Sequence, residues 1–165
     1  MENKMDLGVT HLYHVECFDQ DGNLKWEDGF KNIVVTVGRN YYLDAAIKTG
    51  VTSPTWFVGL KNATAAVAAD TMSSKGFTEL VPYSDATRPS YVAGTIASGS
   101  VDNSVSKAVF NINGTSTIGG AFLVNNNTKG GTTGTLLGAG NFGTARAVEN
   151  GDVLNVTVTC SITST

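Results

Sequence analysis

The stretch Asp152–Thr163, DVLNVTVTCSIT, decides the fold. Val153, Asn155, Thr157 and Thr159 alternate with Leu154, Val156, Val158 and Cys160, a period of two that places one set on each face of a strand. Three more strand-like runs precede it: SVSKAVFNI (104–112), STIGGAFLV (116–124) and GTLLGAGNF (134–142). They are separated by NGT, NNNTKGGTTG and ENGD, segments rich in turn-forming residues. Further back, HLYHVECF (11–18) sets Leu12, His14, Glu16 and Phe18 against Tyr13, Val15 and Cys17. DQDGN (19–23) offers Gly22 for a positive φ, and LKWEDGF (24–30) returns, so the pair reads as a β-hairpin.

The middle of the chain is less regular. NIVVTV (32–37) is a short β-branched run. The period then changes: about residues 38–48 are expected to form the single helix, with Leu43, Ala46 and Ile47 on one face beside Tyr42, and with Gly50 as the stop. PTWFVGL (54–60) reads as a strand. KNATAAVAADTMSSKGF (61–77) reads as a long loop with one helical turn near Met72–Lys75, and strands are expected at TELV (78–81) and SYVAGTIAS (90–98). Many short strands with turns between them indicate an all-β, antiparallel β-sandwich. The strand count suits two four-stranded sheets, so a jelly roll is the expected topology; an immunoglobulin-like sandwich is the alternative, though its Cys-Trp-Cys spacing is absent. The expected organisation is a polar, flexible N-terminal arm over 1–9 and one domain over 10–165.

Composition bounds the function. Charged residues are 15% of the chain against about 25% in typical domains, and Gly, at 19 residues, is abundant. The net charge is −3 and the cations are scattered, which argues against nucleic acid as a partner. No apolar run approaches the ~18 residues of a membrane span, and MENKMDLGVTHLYH lacks the pattern of a signal peptide. Cys17 and Cys160 lie in the first and last strands and are expected to be reduced.

The charge that exists gathers in AADTMSSKGFTELVPYSDATRPSY (68–91), which invites a search for chemistry. His11 and His14, the only histidines, would point to opposite faces of their strand and so cannot readily share a metal. DQDGN has Gly22 in the fourth position and Phe30 in the twelfth, neither of which suits an EF-hand. Ser73 and Ser74 are out of register with Lys75 for Ser-x-x-Lys, and ASGSV (97–101) lacks the closing glycine of a nucleophile elbow. Asp70 with Glu79, or Glu27 with Asp28, are the carboxylate pairs a glycosidase would need, but the aromatics are set singly within strands. GGTTG and GAGNFG lack the following Lys-Ser/Thr of a phosphate loop, and the sequons at Asn62, Asn113, Asn126 and Asn155 are what a Thr-rich chain contains by chance. The expectation is therefore no catalytic residue, no cofactor and no metal. The cluster reads as loop bracing: Asp70 bonding backbone N–H groups, Thr71 or Ser73 capping a turn, and Glu79 or Asp85 pairing with Arg88. Trp26, Trp56 and Tyr91 offer stacking faces for an alternative role as a carbohydrate-binding module.

Four motifs carry a resemblance: Trp26-x-x-Gly29-Phe30-x-Asn32, Gly38-x-Asn40-x-x-Leu43-Asp44, the segment from Ala69 to Glu79, and Tyr83-Ser84-x-Ala86-x-Arg88-Pro89. On these the chain, over about residues 24–160, resembles a family of tailed-bacteriophage structural proteins. The resemblance implies a non-enzymatic virion component, assembled in the bacterial host cytoplasm. The role it implies first is a capsid decoration or cement protein bound to the major capsid protein; the alternatives are tail, neck or receptor-binding components. A homo-oligomer, dimer or trimer, is the expected state, since virion parts follow lattice symmetry.

Overall fold

β10 (Val153–Ser164) is the organising strand, as its alternation suggests. In the structure, a computed structural model that describes residues 7–164, it runs antiparallel to β1 (Leu7–Phe18) over the whole length of both, from Leu7↔Ser164 to Phe18↔Val153. Leu154, Val156 and Val158 are wholly buried, as are Tyr13 and Cys17 opposite them, while the intervening side chains face outward. β2 (Leu24–Val34) returns from β1 through the 19–23 turn, where Gly22 has φ 82° and Asp19 Oδ1 accepts from the N–H groups of Asp21 and Asn23.

The remaining elements are α1 (Thr36–Ile47), β3 (Trp56–Lys61), β4 (Glu79–Leu80), β5 (Ser90–Tyr91), β6 (Ser100–Asp102), β7 (Ala108–Asn111), β8 (Ser116–Val124) and β9 (Leu136–Val148). The fold is all-β with one short helix, and the named strands pair antiparallel in the order β4-β3-β8-β9-β2-β1-β10-β6, with β5 on β3 and β7 on β10. β2 joins the two halves: it pairs with β1 up to Lys31 and with β9 from Asn32 onward. Side chains of both halves, Val15 and Val156 from one, Leu60 and Leu123 from the other, meet in one core, so the arrangement is sandwich-like. A smaller cluster, Met72, Phe77 and Phe122 with Val35 and Leu136, lies beside it.

Several expectations need correction. The jelly roll is not confirmed: one continuous sheet path stands in place of two four-stranded sheets. The β-branched run NIVVTV is divided: its first half completes β2 and its end opens α1. Of the expected arm 1–9, residues 1–6 lie outside the described residues and Leu7–Val9 already belong to β1. SYVAGTIAS forms a strand only at Ser90–Tyr91, and Met72–Lys75 is a bend closed by reciprocal Thr71–Ser74 backbone bonds rather than a helical turn.

The helix starts at Thr36 and its packed face is not the expected one. Gly38 is buried against the Leu137 carbonyl, where a Cβ would lie 2.1 Å from the oxygen, and Tyr41 and Tyr42 follow it one turn on. Leu43 and Ile47 are 62% and 78% exposed. Close approach through Gly38 docks the first turn on β9, so the tyrosines rather than the aliphatics reach the core. Val35 supplies no side-chain cap; the Ala68 carbonyl accepts from the Thr36 N–H instead.

Candidate functional site

The polar cluster of 68–91 is brought together by the fold, in two groups. Arg88 is fully buried and grips Glu79 through two parallel bonds, Nε to Oε1 at 2.8 Å and Nη2 to Oε2 at 2.6 Å. Its remaining N–H groups donate to the carbonyls of Asn126 and Gly131, and the Asn127 carbonyl accepts from its backbone N–H. The guanidinium lies over the Phe122 ring, which also covers Gly59, its partner across the β3–β8 ladder. Asp70 is buried as well; Oδ2 accepts from the Val67 N–H at 2.9 Å and Oδ1 from the Gly76 N–H at 3.0 Å, and Thr71 Oγ1 accepts from the Ser74 N–H. Asp85 does not meet Arg88. It binds the backbone and side-chain amide of Asn111 on β7. Arg88 and Glu79 thus tie 79–91 to 126–131, and Asp70 closes 67–76 on itself. Lys61, also buried, donates to the carbonyls of Asn62 and Thr64 and to Asn141 Oδ1, and burial lowers its pKa to about 8.

Ser73, Ser74, Lys75 and Glu79 border an open groove with Thr78 and Thr132, but the polar atoms of Asp70, Glu79 and Arg88 are engaged in the contacts just described. The molecule does hold a cavity elsewhere, of about 330 Å³, at the end where α1, the start of β3 and the 92–99 loop face the end of β10. Its walls are aromatic: Tyr41 and Tyr42 from α1, Trp56 from β3 and Tyr91 from β5. Leu123, Leu137 and Cys160 complete the interior, and Ile96 and Ile162 stand at the rim, 75% and 46% exposed. No lining residue carries a charge.

The walls are held from behind. The Tyr42 hydroxyl meets His11 Nε2 at 2.8 Å, and His11 Nδ1 meets Asn32 Nδ2 at 2.8 Å; a neutral imidazole donates at one nitrogen and accepts at the other. Burial keeps it neutral, lowering the His11 pKa from 6.5 to about 4. The Tyr91 hydroxyl donates to the Val101 carbonyl, and Tyr41 packs edge-on against Trp56 with ring centroids 5.0 Å apart. The rim loop turns through Ser98 and Gly99, φ 48° and 72°, and is tied to β10 by the bond from the Ile162 N–H to the Gly99 carbonyl. Cys160 faces this space with its pKa pushed up to about 11 by burial, so it is a thiol rather than a thiolate at neutral pH. It is six rows along the β1–β10 ladder from the level of Cys17, and both cysteines are free.

The proposed stacking residues divide. Trp56 and Tyr91 share the cavity, being cross-strand partners of β3 and β5. Trp26 lies elsewhere, edge-on to Phe142 and donating to the Ala147 carbonyl. A sugar would need free hydrogen-bonding groups beside the rings, and the Tyr42 and Tyr91 hydroxyls are already engaged. Of the carboxylates considered for a glycosidase, Asp28 pairs with Arg146 and Glu79 with Arg88.

No protein-family model matches the chain, and no curated protein or solved structure shows a significant match.

Sequence reasoning reached the bracing residues and two of the cavity's aromatics, and missed Tyr41, Tyr42 and Cys160 as neighbours of those two. Tyr41–Tyr42 read as part of a helix; nothing in their spacing says that Trp56 and Cys160 lie opposite.

Proposed function

We propose that the chain is a non-enzymatic structural component of a bacteriophage virion, acting as a decoration protein that binds and stabilises the lattice of the major capsid protein. The observation that carries this reading is the use made of the resembling motifs. Asp70, Met72, Phe77, Tyr83 and Arg88 are buried, and Asp70, Glu79 and Arg88 spend their polar atoms on holding the long 61–91 crossover in one shape. Residues placed this way build a stiff surface loop. A cement protein needs such a loop, because a stiff contact surface loses little conformational freedom on docking. The low charge leaves a surface rich in uncharged polar groups, and many symmetric copies make weak individual contacts sufficient.

The test is composition and imaging of purified particles. The reading expects the chain in mature particles and its density across the capsid lattice. Density at a tail, neck or vertex selects another virion role, and absence of the chain from the particles overturns the proposal.

A further inference from the structure

The aromatic cavity between α1, the 92–99 loop and the end of β10 has a chemistry that narrows what it takes. Its lining is neutral; the Tyr42 and Tyr91 hydroxyls are engaged by His11 and the Val101 carbonyl, and the Ser100 and Ser161 hydroxyls by each other. An anionic occupant would lose its water with nothing in return, and a polyhydroxylated one would leave most of its hydroxyls unpaired. Its volume, about 330 Å³, is at the low end of ligand-binding cavities, room for a ring-bearing side chain together with part of the segment that carries it. The walls present ring edges and faces from Tyr41, Tyr42, Trp56 and Tyr91, the surroundings in which another ring finds edge-to-face partners. The rim carries the argument from ligand to partner. Ile96 and Ile162 continue the apolar lining out of the cavity and remain 75% and 46% exposed. A single ring seated inside would leave them in water; a polypeptide carrying that ring would cover them, as the surround of a buried anchor does at protein interfaces.

We propose that this cavity receives one aromatic side chain of a partner polypeptide whose flanking residues are uncharged and cover Ile96 and Ile162. The virion reading supplies the class of partner, an adjoining virion protein; the chemistry of the cavity is independent of it. The walls are already in place: the His11–Tyr42 bond, the Tyr91–Val101 bond and the Gly99–Ile162 bond hold them without an occupant. Docking therefore costs little reorganisation of this chain.

The experiment uses the purified chain with two probes: N-acetyl-phenylalanine amide, and an uncharged, end-capped pentapeptide with phenylalanine at its centre. Cys160 lines the cavity whereas Cys17 is wholly buried, so alkylation of Cys160 by N-ethylmaleimide, followed at about pH 9 where more of the thiol ionises, reports occupancy. Trp56 emission in a Trp26→Phe background gives a second readout. Both probes should slow the labelling of Cys160 saturably and shift Trp56 emission, with the pentapeptide binding about tenfold more tightly because it also covers the rim. Ile96→Ser should erase that gain, so that on this variant the two phenylalanine probes bind with similar affinity. The same pentapeptide with aspartate at its centre should give no protection. Failure of both probes to protect Cys160, or equal protection by the aspartate peptide, would overturn the proposal. Equal affinity of the two phenylalanine probes would also overturn it, assigning the cavity to small free molecules. Absence of the chain from particles would remove the virion reading and leave this result standing.

Discussion

Arg88 is the residue on which the crossover depends. Its side chain has no exposed surface, its partner Glu79 is nearly as buried, and it also satisfies two loop carbonyls. Removing one member of such a pair strands a desolvated carboxylate, a loss of about 3–5 kcal/mol, large beside a total stability of about 5–15 kcal/mol. Arg88→Ala should therefore lower the unfolding free energy from urea titration by that amount yet leave a folded majority; an unchanged midpoint would show that the bracing contributes nothing. Chemistry in the sequence indicated a carboxylate partner but not which one, because Asp85 lies nearer in the chain and is drawn instead to Asn111 by the placement of β7. His11 makes a different prediction. Unfolded, it binds a proton below about pH 6.5; folded, burial holds its pKa at about 4. Between these values the unfolded chain binds more protons, so acid favours unfolding: the contribution of His11 is fully present above pH 6.5 and shrinks as pH falls toward 4. The full difference corresponds to about 3 kcal/mol. Urea unfolding across this range should show a steeper acid decline for the parent than for His11→Gln, and parallel profiles would contradict a neutral, buried imidazole.

Among the elements, β8 and β9 pass close to one another, and glycine permits the approach. A Cβ at Gly120 would lie 1.9 Å from the Gly140 carbonyl oxygen, beside the register shift between Ile118 and Gly120. Only backbone movement could accommodate it, so Gly120→Ala should cost at least about 3 kcal/mol or prevent folding. Gly143, on the same β9, would bring its Cβ within 4 Å of nothing, and Gly143→Ala should change stability by no more than about 0.5 kcal/mol. Thermal melts of the two variants check the contrast; similar losses would show that strand propensity, not the close approach, is what matters at these sites. The same pair shows what the sequence could tell. The alternation in β1 and β10 was legible because each has one face buried and one exposed. β8 is buried on both faces from Ile118 to Val124, so it shows no alternation, and nothing in the sequence tells that its glycines mark where another backbone passes. The helix was legible as a helix, but its packed face was not, since Gly38 carries no hydrophobic signal and owes its burial to the Leu137 carbonyl.

At the scale of the whole molecule, the candidate cavity was hidden for a related reason. Its lining comes from segments around residues 41, 56, 91, 99, 137 and 160, each of which reads singly as ordinary core, and only the closing of the sheet leaves space between them. That closure depends on the first and last strands meeting, with Leu7 opposite Ser164. The described ends are therefore neighbours, and a short flexible linker can join them without strain. Two new openings of such a joined chain separate the roles of two loops. Between Ser104 and Val105 the chain is at an exposed tip, Val105 being 96% exposed, while the buried Asn103 keeps its bonds to Val156 and Val158. Between Lys129 and Gly130 the cut divides the loop whose Asn126 and Gly131 carbonyls both accept from Arg88. The first permutant should melt within about 4 °C of the parent, and the second at least about 8 °C below it. Equal melting of the two would mean that the grip of Arg88 survives without a continuous 126–131 loop, and that the crossover is stiffened by its own Asp70 and Glu79 contacts alone.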